Sequence, residues 1–336
     1  MNEPNPETAP GEATALSSYK DRSTGLTFFG VLTILLGCLA GLFILLMLVG
    51  QAAAARSPNA PPTTLSAILP AVLIYGVLAV ALVWLGIGSI MARRWARALL
   101  LIFSWGWLIM GLCAVMGMAF IMPKILAGAA GGPDKNHAVS AAAIAGVMAV
   151  MFVIFGVIFV ILPAIWIFFY HSRHVKATCE ARDPVTRWTD ACPLPVLALC
   201  LWLLLAVPML LLMPIVGHGV VPFFGTFLTG LPGSLLCLAI AALWAYAAWL
   251  LYKLDVRGWW LILIAMVVFM VSAVITYARH DIIEMYQLMG YPQAQIDQIQ
   301  KTGLLTGNRM AWLTTFSMVP ILGYILFVKK YLRGKA

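Results

Sequence analysis

The sequence predicts an all-α polytopic membrane protein with eight transmembrane helices, arranged as two parallel four-helix repeats. The chain is 63% hydrophobic and only 10% charged, with a mean hydropathy of +0.98. Eight long apolar stretches contain no Asp, Glu, His, Lys or Arg. A water-soluble protein of 336 residues needs a more polar surface. A membrane β-barrel would alternate apolar and polar residues, whereas these stretches are continuous.

Each stretch is long enough to cross a bilayer, because about 20 helical residues cover a hydrocarbon core of about 30 Å. The fourth stretch is also long enough to tilt or to project beyond the membrane. The predicted spans are residues 25–50, 65–92, 98–122, 139–170, 195–216, 230–252, 259–278 and 310–328.

The Lys and Arg residues predict the orientation of the chain. With a cytoplasmic N-terminus, 15 of the 21 fall on the cytoplasmic side and 6 on the other side. Because cytoplasmic loops retain Lys and Arg, we expect both termini in the cytoplasm. The net charge of +9 then indicates contact with anionic lipid headgroups of the bilayer. Nucleic-acid binding is not expected, since no basic patch lies on a soluble domain.

The chain divides into four predicted segments. Residues 1–24 are polar and precede an apolar run too long for a signal peptide, so we expect a disordered cytoplasmic tail before a retained helix. Residues 25–170 form the first four-helix repeat, and residues 171–194 form a central cytoplasmic loop. Residues 195–330 form the second repeat.

Matched tryptophans at span ends predict the repeat. Trp84 and Trp95 are 11 residues apart, as are Trp249 and Trp260, with basic residues between the members of each pair. Since four spans are an even number, both copies would face the same way, related by an axis along the membrane normal. Interfacial anchoring alone is the alternative explanation for these tryptophans.

The longest external loop predicts a helical hairpin over residues 280–305. Ile282, Ile283 and Tyr286 share a helical face, and Gly290 interrupts that helix. Pro292 can open a second short helix. We expect this hairpin to lie over the external mouth of the bundle.

The central loop contains four candidate metal ligands: His171, His174, Cys179 and Cys192. Two imidazoles and two thiolates could form a tetrahedral zinc site. However, the cysteines are 13 positions apart, unlike the closely spaced ligand pairs of a zinc knuckle. We favour histidines at a helix end and free thiols in a reducing compartment, so no cofactor is predicted and zinc is the alternative.

An external polar cluster follows the seventh span and consists of His280, Asp281 and Glu284. His280 and Glu284 are four residues apart and would share a helix face, where they could bind a metal or a cationic ligand. The favoured interpretation is that these side chains mark where a helix leaves the membrane.

The spans lack the groups that ion-coupled carriers and intramembrane enzymes use. Proton or sodium coupling normally requires an ionisable side chain within the bundle, and the predicted spans have none. No Ser/His pair lies at membrane depth, and no glycine-rich phosphate loop is present. The sequence therefore favours a protein that is not an enzyme.

The stretch from Val175 to Leu197, VKATCEARDPVTRWTDACPLPVL, resembles a segment of uncharacterised multi-pass proteins of bacterial inner membranes. The resemblance implies an inner-membrane location and a helical fold. It implies no activity and no catalytic residue.

Three functions remain open from the sequence. The first is a non-enzymatic assembly, regulatory or scaffold component. Its partner protein would dock on the central loop at Arg182, Arg187, Trp188 and Asp190, with the tryptophan as an aromatic anchor. The second is a permease or lipid-handling protein without ion coupling. The third is an enzyme that acts on a lipid through the cytoplasmic His/Cys loop.

Overall fold

The computed structural model describes residues 20–54, 65–130, 141–302 and 307–332, so most of the predicted tail over residues 1–24 lies outside the described part. The helices there are α1 (Ser23–Ala54), α2 (Leu65–Ile90), α3 (Arg94–Ala130), α4 (Ala141–Gly156), α5 (Leu162–His171), α6 (Arg173–Arg182), α7 (Leu194–Val216), α8 (Gly230–Tyr252), α9 (Val256–Arg279), α10 (Ile282–Leu288), α11 (Gln293–Thr302) and α12 (Gly307–Leu332).

The eight predicted spans are confirmed as helices long and apolar enough to cross a membrane. They are Ser23–Ala53, Ala71–Ile90, Arg94–Ala119, Ala145–His171, Leu194–Val216, Gly230–Tyr252, Val256–Arg279 and Arg309–Leu332. Several begin or end about one turn beyond the predicted bounds and so include a charged residue, such as Arg94 or Arg257. Long basic side chains permit this extension because they reach from a helix end into the headgroup layer.

The fourth span is interrupted by a π-helical turn, Val157–Ile161, between α4 and α5. Pro163 lies two residues after this turn and has no N–H to donate to a carbonyl of the turn. The carbonyl oxygen of Phe159 lies against Gly111 of α3, where any Cβ would collide with it. The proline, the irregular turn and the glycine together allow α3 and the fourth span to approach closely.

The chain divides into two compact units. Unit 1 comprises residues 1–41 and 78–187, and unit 2 comprises residues 42–77 and 188–336. Most of the predicted central loop thus belongs to unit 1. The predicted duplication of a four-helix repeat stays a prediction.

The core of unit 1 lies between α3 and α5. Trp166 and Tyr170 of α5 are fully buried, as is Leu100 of α3. Ser89 of α2 donates a hydrogen bond to the carbonyl of Leu26 (3.0 Å) and shares another with the Tyr170 hydroxyl (2.7 Å). These buried polar groups therefore satisfy one another and join α1, α2 and α5.

The core of unit 2 joins α7 to α8 and α9 to α12. Trp259 of α9 is 1% exposed, and its indole N–H donates to the carbonyl of Ile325 over 2.7 Å. Gly258 packs on α8, since a Cβ there would lie 2.7 Å from that of Leu250. The same core contains Leu251, Ile262 and Val328.

The connection between α7 and α8 is a β-hairpin that the sequence did not predict. Strand β1 (Val221–Phe223) pairs antiparallel with β2 (Thr226–Leu228). Its two turn residues, Phe224 and Gly225, have positive φ values of 41° and 97°, which matches the twist of a two-residue hairpin turn. The short helices α10 and α11 occupy the region of the predicted helical hairpin.

Candidate functional site

We use the name basic end of unit 1 for the end that contains the α2–α3 turn and the helix α6, which packs against α3. The turn is closed by hydrogen bonds from the N–H groups of Ala92 to Ser89 and of Arg93 to Gly88, both 2.9 Å. Ala92 adopts a left-handed backbone (φ 51°) and is 1% exposed. This C-terminal cap of α2 places Arg93 next to the first residue of α3, Arg94.

A buried carboxylate, Asp183, lies at the centre of the basic end of unit 1. Its side chain is 2% exposed. One oxygen accepts from Arg93 Nη1 over 3.5 Å, and the other accepts from the backbone N–H of Arg94 over 3.3 Å. Arg187 Nε lies 3.4 Å from the second oxygen. A buried carboxylate requires such compensation, so Asp183 links the chain after α6 to the α2–α3 turn.

A second set of contacts surrounds this carboxylate. Glu180 of α6 pairs with Arg94 over 3.9 Å and with Lys176 over 3.8 Å. Arg97 Nε donates to the carbonyl of Tyr170 over 3.0 Å. Because Arg97 follows Arg94 on α3, one turn of helix contacts both α5 and α6.

The described beginning of the chain also packs on α6. The N–H of Arg22 donates to the Thr178 hydroxyl (3.1 Å), and Arg182 pairs with Asp21 over 3.5 Å. Ser23 donates through both its N–H and its hydroxyl to Asp21, and these hydrogen bonds hold the pKa of the Asp21 carboxyl below its usual value. The start of α1 is therefore capped and fixed to α6 at once.

The four predicted docking residues are exposed; Arg182 and Arg187 belong to unit 1, whereas Trp188 and Asp190 belong to unit 2. Arg182 ends α6 and Arg187 contacts Asp183. Trp188 and Asp190 belong to a short 3-10 turn of unit 2, where the Tyr252 hydroxyl donates to the Trp188 carbonyl over 3.0 Å. Trp188 is still 46% exposed.

The four metal candidates do not form a ligand set. In the described part of the chain, no three His, Cys, Asp or Glu side chains are grouped so that they could hold a metal ion. His171 is exposed at the end of α5, and Nδ1 of His174 accepts from the N–H of Lys20 over 3.3 Å. Cys179 and Cys192 are buried, and burial raises the pKa of each thiol to about 11.

The raised thiol pKa values predict slow alkylation in the native protein. With a pKa of about 11, only roughly 0.03% of Cys179 is thiolate at pH 7.5, and this fraction grows about tenfold per pH unit until the pKa is reached. We expect maleimide to label Cys179 at least about a hundredfold more slowly in native than in denatured protein, because the unfolded thiol regains its ordinary pKa. Peptide mass spectrometry at pH 7.5 and 9.5 measures this. Equal native and denatured rates would refute the assignment.

The predicted external cluster has a structural role in unit 2. Nδ1 of His280 lies 2.8 Å from Glu284 Oε2, and its Nε2 lies 3.0 Å from the carbonyl oxygen of Gly225. Asp281 is the N-cap residue of α10. His280 thus joins the tip of the β-hairpin to α10.

Two hydroxyls that sequence reasoning missed hold the same hairpin. Ser272 and Thr276, one turn apart on α9, accept hydrogen bonds from the N–H groups of Phe224 (2.9 Å) and Gly225 (3.0 Å). Both side chains are buried. The available signal was a pair of hydroxyls with helical spacing in an otherwise apolar span.

The eight spans define the class of this chain as a multi-pass helical membrane protein. Comparison with models of protein families, with curated proteins and with solved structures found no match.

Proposed function

We propose that this protein is a non-enzymatic assembly or scaffold component of a bacterial inner membrane, with both termini cytoplasmic, that docks a partner protein on residues 182–190. The supporting observation is the buried carboxylate of Asp183, which anchors an exposed irregular segment. The excess of Lys and Arg on one side of the spans supports the orientation.

The unit 1 part of this segment, residues 184–187, is exposed, yet ion pairs hold it at both ends. Residues 184–187 have no regular secondary structure, but the ion pair between Asp183 and Arg187 joins the two ends of this short stretch. Val185 is 61% exposed, and Trp188 follows along the chain with its carbonyl hydrogen-bonded. A segment already ordered before binding loses less conformational entropy when a partner binds.

The side chains presented are those that dominate protein interfaces. Tryptophan and arginine are enriched at positions where truncation costs most binding energy. The Arg182 guanidinium has five N–H donors, and a single Asp21 oxygen engages only part of them. The matching partner surface has an apolar pocket with carboxylates at its rim.

The membrane interior supports a component without driven transport. Intramembrane ionisable side chains commonly form proton and ion pathways, and the predicted apolar stretches contain none. The charged side chains of unit 1 lie mainly at its basic end, where a partner protein can contact them.

Removing the exposed anchors is expected to release the partner. In a Val185→Ser/Trp188→Ala variant, we expect at least about tenfold less co-purifying protein after crosslinking in native membranes, because interface anchors typically contribute about 2 kcal/mol or more. Quantitative mass spectrometry of the affinity-purified full chain measures this.

An Arg173→Ala/Lys176→Ala variant is the matched control, since it alters exposed side chains of neighbouring α6 and should keep the partner. An unchanged partner set in the first variant, or no partner with the unaltered chain, would refute docking. Solute or lipid movement by the purified chain in liposomes would instead support the permease or lipid-handling alternative.

A further inference from the structure

The end of unit 2 where α8 turns into α9, and where α12 ends, is here called the basic end of unit 2. Lys253 lies in the turn, and Lys329 and Lys330 lie in the last turn of α12. Among the described residues, no carboxylate pairs with any of these three lysines. The nearby Asp255 caps α9, since its Oδ1 accepts from the N–H of Arg257 over 2.8 Å.

Unit 1 differs in this respect. At its basic end, Asp183 and Glu180 pair with arginines and a lysine, and Asp21 pairs with Arg182. Five basic side chains there therefore have a carboxylate partner within the unit. Lys253, Lys329 and Lys330 have no carboxylate partner in the part of the chain that the structure describes, so an anion from outside the chain can bind them.

Aromatic rings hold the three ammonium groups in place. Lys329 Nζ lies 4.3 Å and 5.0 Å from the ring centroids of Trp259 and Trp260. Lys253 Nζ lies 3.9 Å from the Trp249 ring. Lys330 Nζ lies 3.8 Å and 4.9 Å from the rings of Phe327 and Tyr331. A ring face orients and partly desolvates a cation but supplies no net negative charge.

The position of the three lysines indicates which kind of anion they bind. Lys253 directly follows one span, and Lys329 and Lys330 end another, so all three lie at the level of lipid headgroups. The neighbouring Trp249, Trp260 and Phe327 are 50%, 49% and 45% exposed. Outward aromatic rings beside ammonium groups provide an apolar surface for acyl chains next to a site for phosphate.

We infer that the basic end of unit 2 binds an anionic phospholipid. Lys253, Lys329 and Lys330 bind its phosphate-bearing headgroup, and the exposed rings of Trp249 and Trp260 contact its acyl chains. Lysine ammonium groups bind phosphate as point charges, and basic pockets between membrane helices suit such headgroups.

Native mass spectrometry of the full chain, titrated with phosphatidylglycerol in detergent micelles, tests this site. The Lys253→Gln/Lys329→Gln/Lys330→Gln variant keeps polar side chains of similar length but removes three charges. We expect its affinity for phosphatidylglycerol to fall about a hundredfold. The matched control is Lys20→Gln/Arg173→Gln/Lys176→Gln, which removes three charges from exposed side chains of unit 1 and should bind phosphatidylglycerol as before.

Two further titrations identify the anion. Phosphatidylcholine should bind the unaltered chain weakly, and millimolar inorganic phosphate should not displace phosphatidylglycerol. The inference would be overturned if inorganic phosphate displaces phosphatidylglycerol or if both triple variants lose the same affinity for this lipid. It would also be overturned if the lysine variant loses a co-purifying protein and keeps its lipid. Thermal unfolding checks each variant, and if the triple variant unfolds early, the single Lys253→Gln and Lys330→Gln variants must each weaken lipid binding.

Discussion

Replacement of Asp183 by asparagine is expected to destabilise the basic end of unit 1 by about 1–3 kcal/mol. The carboxylate accepts from Arg93 and from the N–H of Arg94, whereas asparagine presents an NH₂ group to one of these donors. The expected loss of stability is moderate because the side chains of Arg93 and Arg187 are 33% and 38% exposed, so water partly screens their charges. Denaturant unfolding in detergent measures the change. Trypsin should also cleave after Arg187 at least about tenfold faster.

Glu180→Gln is the control for this prediction. Glu180 is 42% exposed and its ion pairs are 3.8 Å and 3.9 Å long, so its neutralisation should cost less than about 1 kcal/mol. If Asp183→Asn and Glu180→Gln lower the free energy of unfolding equally, Asp183 does not have the central role described. Partner capture should also fall in Asp183→Asn, although every proposed anchor is retained. If Asp183→Asn captures the partner fully although trypsin cleaves its loop readily, the loop does not need to be ordered before the partner binds.

The spans were predictable because a single physical constraint defines them. In hydrocarbon, backbone polar groups must bond within the segment, so a continuous apolar run of sufficient length predicts a helix. The ends were less predictable, since Arg94 and Arg257 continue their helices into the headgroup layer. The π-helical turn was not predicted either, and it lies at the contact of Phe159 with Gly111, which is distant in sequence.

The role of Asp183 was not predictable from the central loop alone. Glu180, Asp183 and Asp190 are similar in sequence context, yet only Asp183 is buried. Its burial depends on the α2–α3 turn, about 90 residues earlier in the chain. In the sequence, the arginines of that turn indicate the orientation and the predicted repeat, whereas in the structure Arg93 and Arg94 also bind this carboxylate.

The α2–α3 turn and the α8–α9 turn have the same backbone pattern, which indicates how the two halves of the predicted duplication would align. Leu254 has φ 60°, and the hydrogen bonds from Leu254 to Leu251 and from Asp255 to Leu250 reproduce the pattern around Ala92. Leu254 lies 162 residues after Ala92, whereas Trp249 lies 165 residues after Trp84. The turns therefore favour a register three residues from the tryptophan register, because a cap depends on backbone geometry while interfacial tryptophans can shift along a helix.

Gly233→Ala is expected to destabilise unit 2 by about 3 kcal/mol. A Cβ at Gly233 would collide with the carbonyl oxygen of Gly219 and lie 3.1 Å from that of Leu228. Both obstacles are backbone, so no side chain can rotate away. Gly219 itself needs a left-handed conformation (φ 67°) and packs against Ser234. The free energy of unfolding in detergent should fall, and the β-hairpin should lose hydrogen-exchange protection first.

Gly323→Ala in α12 is the matched control, because an added Cβ there meets no atom within 4 Å. Alanine has the higher helix propensity, so this variant should be unchanged or more stable by up to about 1 kcal/mol. The same substitution then has opposite effects at two membrane helices of one unit. If Gly233→Ala is tolerated as well as Gly323→Ala, the hairpin does not pack against the first turn of α8 as described. Protection of Phe224 and Gly225 would then depend on Ser272 and Thr276 alone.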